Sequence, residues 1–145
     1  MKIEQIENEN IPQIRSMWEE LNKLHGQLST HFKEHFESFT FEERLRQFKN
    51  KDSFAVFVAK YESKIAGYCI TSVNGKIGEI DSIFINPQHR NKKVGEALIV
   101  EAESWLKKKS IIKIHIFVAE GNESVFSFYN KQGYQQRFSV LEKKP

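Results

Sequence analysis

The strongest constraint in this chain is an unbroken succession of strand, basic turn, helix and strand. An apolar, β-rich run from Ile77 to Ile85 enters the turn Asn86-Pro-Gln-His-Arg-Asn-Lys-Lys-Val-Gly95. An amphipathic pattern, Val94 to Lys109, leaves it, and Ile111 to Val118 reads as a second apolar strand, interrupted by Lys113 and His115. Two strands joined by one crossover helix lie parallel, with a right-handed connection. The turn therefore falls at a helix start, where backbone N–H groups lack intrahelical acceptors and the helix dipole is positive. Such a place holds anions, phosphates above all. Arg90, Lys92 and Lys93 add cationic side chains at the same point, and Gly95 lets backbone approach a ligand with no Cβ in the way.

The rest of the chain supplies the partners for this unit. Met1 to Ile6 alternates as a short strand. Ile11-Pro12 opens a helical pattern in which Ile14, Met17, Trp18, Leu21 and Leu24 share a stripe, and Gly26 is the expected stop. Leu28 to Phe41 has no regular period and carries four phenylalanines. Thr40 caps a helix from Phe41 to Lys49, with Glu42 and Glu43 in its first turn. Ser53–Tyr61 and Ile65–Val73 are rich in β-formers and joined by a tight hairpin at Glu62-Ser-Lys. Asn74-Gly75 turns the chain into the strand ending at Ile85. After Val118, a helix from Glu123 to Gln132 stops at Gly133, and Tyr134 to Leu141 reads as a final strand. The order of elements gives an α/β fold in one domain, residues 1–145: a mixed, mostly antiparallel sheet flanked by helices.

Composition removes several classes. The 145 residues are 39% hydrophobic and 28% charged, enough for one buried core. Net charge is +3, with Lys and Glu scattered over the whole length, unlike the concentrated basic face of a nucleic-acid binder. The N-terminal residues lack the apolar core of a signal peptide, and no apolar run approaches membrane-spanning length. The expected location is cytoplasmic, with neither nucleic acid nor membrane as partner. A single cysteine, Cys69, lies inside an apolar run and reads as a buried, inert thiol.

A second stretch, Asn122-Glu-Ser-Val-Phe-Ser-Phe-Tyr129-Asn-Lys131-Gln-Gly133-Tyr134, joins the basic turn in one pattern. Together the two resemble the GNAT superfamily of N-acetyltransferases. Its coenzyme A loop reads Gln/Arg-x-x-Gly-x-Gly/Ala, and its next block often reads Asn-x-x-Ala-x-x-Phe-Tyr-x-Lys-x-Gly-Phe/Tyr. Arg90 and Gly95 match the first block; Asn122, Phe128, Tyr129, Lys131, Gly133 and Tyr134 match the second. The motifs cover Lys76 to Tyr134. Lys93 stands where the family has its first Gly, Asn91 where another Gly is common, and Val125 where Ala is usual. A side chain at Lys93 requires a backbone angle that a non-Gly residue tolerates.

The resemblance implies acetyl-CoA as cosubstrate, transfer of its acetyl group to a primary amine of a small molecule or protein, and a parallel strand pair splayed around the cosubstrate. It implies that the pantetheine arm pairs with backbone near Phe84 and Ile85. The pyrophosphate is then held around Arg90, Asn91, Lys92, Lys93, Val94, Gly95 and Glu96, with Asn122, Tyr129 and Lys131 also touching the cosubstrate. The first helices cover the acceptor, which assigns His25, Phe32, Phe36 and Asp81 to its site. A homodimer is compatible with this reading. The residues themselves add chemistry. Glu79 and Asp81, two apart on one strand, point the same way, raise one another's pKa and suit proton pickup; the resemblance puts Asp81 ahead, since it aligns with the acidic residue some members use as base. The alternative for this pair is solvent-exposed charge at a strand edge. Tyr129 is the expected general acid, and its alternative is a core aromatic. It lies seven residues after Asn122, about two helical turns, which places both on one helix face. Asn122 is expected to cap that helix.

Two other readings stand beside the enzyme. A non-catalytic acyl-CoA-binding domain uses the same fold. His31-Phe-Lys-Glu34-His35 fits H-x-x-E-H, an inverted zinc-peptidase motif; with no evident third ligand, no metal is expected.

Overall fold

The run Phe-Ala-Val-Phe-Val-Ala is apolar on both alternating faces, so it needs cover on both sides. The computed structural model, which describes residues 1 to 145, gives it that cover. This strand, β2 (Ser53–Tyr61), lies inside a five-stranded sheet between β1 (Lys2–Ile6) and β3 (Lys64–Asn74), antiparallel to both. β4 (Ile77–Ile85) continues antiparallel, and β5 (Lys113–Ile116) is parallel to β4. Strand order follows chain order, with left-handed residues Glu62 (φ 57°) and Gly75 (φ 62°) at the two hairpin turns.

Val56 and Val58 face one core half, packed with Ile14, Trp18, Phe41 and Phe48. Ala55, Phe57 and Ala59 face the other, packed with Val94, Leu98, Ile99 and Leu106. The first half is roofed by α1 (Arg15–Leu28) and α3 (Phe41–Lys49), the second by α4 (Val94–Lys107). Residues Asn8–Ile14, around Pro12, wind as a 3-10 turn before α1. α3 begins with a reciprocal cap: the Glu43 N–H donates to Thr40 Oγ1, and the Thr40 N–H donates to Glu43 Oε1, both at 3.1 Å. Losing such a cap costs about 1 kcal/mol.

The structure corrects four boundaries. α1 runs through Gly26 to Leu28. Gly26 is there for its size: a Cβ would stand 3.3 Å from the Cβ of Phe36, which belongs to a short helix, α2 (Lys33–Ser38), inside the stretch that shows no period. The strand read over Ile111–Val118 shrinks to four residues because only Ile77–Ile80 of β4 pair with it; Phe117, just beyond, is 63% exposed. The helix read from Glu123 begins as a 3-10 turn, Glu123–Val125, and becomes α5 only at Phe126–Lys131. Tyr134 to Leu141 forms no strand. A strand exists only as part of a ladder, and these residues join none; Phe138, Val140 and Leu141 stay exposed. No helix is long and apolar enough to cross a membrane.

Candidate active site

β4 is nine residues long, but its parallel pairing with β5 ends at Ile80. From Asp81 onward the two strands part, and a cavity of about 700 Å³ fills the opening. A β-bulge marks the same point: Ile70 pairs with Ser82 and Thr71 with Ile80, leaving Asp81 as the extra residue. The bulge is held by its backbone. Arg44 of α3 donates to the Asp81 carbonyl at 3.2 Å, and the Thr71 hydroxyl donates to that of Glu79 at 2.7 Å. A bulge of this kind re-aims a side chain, and Asp81 lines the cavity.

Burial pushes the Asp81 carboxyl up to about 7, helped by the charge of Glu79; the Ser72 hydroxyl and the Arg44 guanidinium pull the other way. Its Oδ2 is buried with no hydrogen-bond partner. Glu79 does not line the cavity; its carboxylate faces Lys51 Nζ at 3.6 Å. His25, from α1, lines the cavity as well. Burial, then the charge of Arg44, lowers its pKa and keeps the imidazole neutral.

At the other end of the cavity the chain leaves β4 through a Pro87–His89 turn and enters α4. Asn91 (φ 65°) and Lys93 (φ 61°) are both left-handed, so this loop takes up the glycine conformation without glycine. The backbone N–H groups of residues 91 to 96 donate to no backbone carbonyl. A row of such donors at a helix start is an anion cradle. Arg90, Asn91, Lys93, Val94, Gly95 and Glu96 line this end, with Phe84 and Ile85 along β4. Arg90 is folded back, its Nε donating to the Ile85 carbonyl at 3.2 Å. Lys92 departs from expectation: it turns out of the cavity, its Nζ 5.7 Å from the Tyr61 ring centroid. Gly95 lines the cavity and has a second reason to be small. A Cβ there would lie 3.1 Å from Cζ of Phe128, so its smallness seats an aromatic ring.

Asn122, Tyr129 and Lys131 complete the wall. Asn122 makes no side-chain cap, and the 3-10 turn after it breaks the two-turn spacing to Tyr129. The two residues share a cavity, not a helix face. Burial raises the Tyr129 phenol, which stays protonated across the neutral range. Its neighbours Tyr68 and Tyr134 are tied to Ser82 Oγ at 2.8 Å and Glu103 at 2.6 Å.

The remaining expectations fall elsewhere. Phe36 lines a second cleft, of about 540 Å³, between α1 and α2, and Phe32 lines neither cavity. His31 precedes α2, so it does not share a helix face with His35; no three His, Cys, Asp or Glu side chains come together as a metal site. The sequence reading missed Leu21, Leu24, Ser82, His89, Phe117 and Phe128 as cavity walls. Leu21 and Leu24 carried only the signal of a core stripe. The second-motif match at Phe128 was the one available pointer.

A family model, the acetyltransferase (GNAT) family, matches residues 14–134. The chain belongs to the GNAT acetyltransferase family. A spermidine N(1)-acetyltransferase from Thermoplasma acidophilum is 31% identical over 51% of this GNAT chain and 46% of its own length. An uncharacterised N-acetyltransferase from Methanocaldococcus jannaschii is 26% identical over 60% of this chain and 42% of its own. This chain thus spans less than half of either relative. The fold is that of a putative acetyl transferase from Pyrococcus furiosus, with a TM-score of 0.81, 24% identity and 99% of each chain covered. It is also that of the PaiA N-acetyltransferase from Thermoplasma acidophilum solved with coenzyme A, with a TM-score of 0.75, 24% identity and 97% and 94% covered.

Proposed function

We propose that this GNAT domain transfers the acetyl group of acetyl-CoA to a primary amine by direct attack. One observation carries the reading. A single cavity joins an anion cradle at residues 91–96 to a buried carboxylate, Asp81, with Tyr129 on its wall. One relative is named for an amine acceptor, spermidine, and the amine class suits a site with one unpartnered carboxylate oxygen.

The cradle and Lys93 hold the pyrophosphate, and Arg90 holds the end of β4 against which the pantetheine arm lies. A backbone N–H near Ile85 polarises the thioester carbonyl. Asp81 takes a proton from the incoming ammonium, directly or through water, freeing the nitrogen lone pair. The C–N bond forms at the carbonyl carbon and the C–S bond breaks. As the tetrahedral adduct collapses, its nitrogen gives its second proton to water and the leaving sulfur takes the Tyr129 phenolic proton, so the amide and free coenzyme A are the products. Tyr129 recovers its proton from water. Glu79, paired with Lys51, acts on Asp81 through its charge and does not contact the acceptor.

Titration calorimetry with acetyl-CoA, followed by thiol release against an amine panel, tests this. Binding with amine-dependent thiol release is expected. Binding with no release from any amine favours a non-catalytic acyl-CoA-binding domain. No binding at millimolar ligand removes both.

A further inference from the structure

The charges around the cavity are unevenly placed. The phosphate end carries Arg90, Lys93 and Lys131, and one acid, Glu96, in the first turn of α4. The opposite end, four residues back along β4 and so roughly 13 Å away, carries Asp81 alone. Acids on the surrounding elements lie outside the cavity wall. Glu79 faces Lys51, Glu120 accepts from Ser29 Oγ and the His31 N–H at 2.6 Å each, and Glu123 accepts from the Gly121 N–H at 3.0 Å. The walls near Asp81 are apolar or neutral: Leu21, Leu24 and His25 of α1, with Phe117 and Val118 after β5. The second cleft does hold Glu19, Glu37 and Glu42, but Lys23 and Lys33 stand among them and Glu42 pairs with Arg15. His25 and Phe36, their ring centroids 5.5 Å apart, stand between the two spaces.

We infer that the acceptor is a monoamine with an apolar body, aliphatic or aromatic, and not a polyamine or an aminoglycoside. The inference rests on the acetyltransferase reading above and narrows its substrate class. One amine nitrogen satisfies Asp81 Oδ2, a buried acceptor that otherwise has no donor. A second ammonium on the same substrate meets no second carboxylate on that wall, and a charge taken from water without a partner is costly. A hydrocarbon body meets Leu21, Leu24 and the exposed ring of Phe117 instead.

The test compares hexylamine with 1,5-diaminopentane, equal in length, one ending in a methyl and the other in a second ammonium. Phenethylamine, spermidine and kanamycin complete the panel, with thiol release as readout. kcat/KM for hexylamine and phenethylamine is expected to exceed that for the diamine, spermidine and kanamycin by roughly tenfold or more. Phe117→Asp, at an exposed position that folding tolerates, is expected to narrow the hexylamine-to-diamine ratio by giving the second ammonium a partner. Turnover in which the diamine, spermidine or kanamycin matches the monoamines overturns the inference and leaves the acetyltransferase reading standing. An unchanged ratio in the Phe117 variant also counts against it. Acetyl-CoA binding without turnover of any amine removes both together.

Discussion

The Glu120 carboxylate, in the loop after β5, accepts a 2.6 Å hydrogen bond from the hydroxyl of Ser29, at the end of α1. The same oxygen accepts from the His31 N–H. Beside it Gly121 (φ 90°) lies so close to α1 that a Cβ would stand 2.1 Å from the Leu28 carbonyl oxygen. The α1–α2 loop is thereby latched to the β5–α5 loop, whose Phe117, Val118, Ala119 and Asn122 line the cavity. Glu120→Ala should raise the acceptor KM and leave the acetyl-CoA KM near wild type, since the cradle at 91–96 is untouched. Glu120→Gln, which still offers a carbonyl oxygen, should restore much of the loss. The Ser29 hydroxyl, then the His31 N–H, lowers the Glu120 pKa. A depressed folded-state pKa adds stability above the unfolded value, lost as pH falls through the folded one, so the latch should release only on the acid side. Steady-state kinetics varying each substrate in turn decide the matter, and equal rises in both KM values would refute the latch.

Asp81 predicts a pH profile. Only its ionised form takes a proton, so kcat/KM should rise through a pKa near the value of about 7 set by its burial. Asp81→Asn should lower kcat by roughly 10²–10⁴-fold and flatten that limb. Stability should move oppositely. A raised folded-state pKa means the unfolded chain ionises first, so stability falls as pH rises from the unfolded pKa through the folded one. Asp81→Asn should therefore melt higher than wild type at pH 8, with the difference closing towards pH 4. Melting curves at the two pH values measure it, and a lower Tm for the variant at pH 8 would contradict it.

Tyr129→Phe removes one hydroxyl and keeps the ring that packs on Phe128 at a centroid distance of 5.3 Å. kcat should fall by roughly 10²–10⁴-fold, with acetyl-CoA affinity and Tm nearly unchanged. Wild-type turnover in a stable, ligand-binding variant would hand the acid role to water.

Lys93 holds a left-handed angle that costs a side chain about 1 kcal/mol or more. Lys93→Gly should relieve that cost and raise Tm, while Lys93→Ala keeps it. Both lose the charge at the cradle, so both should raise the acetyl-CoA KM, the alanine variant more, with kcat little changed. A collapse of kcat at constant KM in Lys93→Ala would show that the side chain acts elsewhere.

The strand–turn–helix around Asn86–Gly95, the paired faces of β2 and the Thr40 cap were legible in the sequence because each is set by local contacts and period. Eleven of the twelve residues expected around the cosubstrate line one cavity, the exception being Lys92. The expected acceptor residues fared unevenly: His25 and Asp81 face that cavity, whereas Phe36 turns to another cleft and Phe32 to neither. Aromatics on a segment without period give no face, so nothing in the sequence could aim them.

By itself, the sequence determined the strands β1 to β4, the helices α1, α3 and α4, and the basic turn that opens α4. Only the tertiary structure decided that β5 leaves β4 at Ile80, that a bulge aims Asp81 into the gap, and that Glu79 turns instead to Lys51. The same holds for the Phe128 ring resting against Gly95 and for the missing strand after Tyr134. Period and propensity act within a few residues, whereas strand divergence, bulge register and a ring's resting place depend on partners tens of positions away.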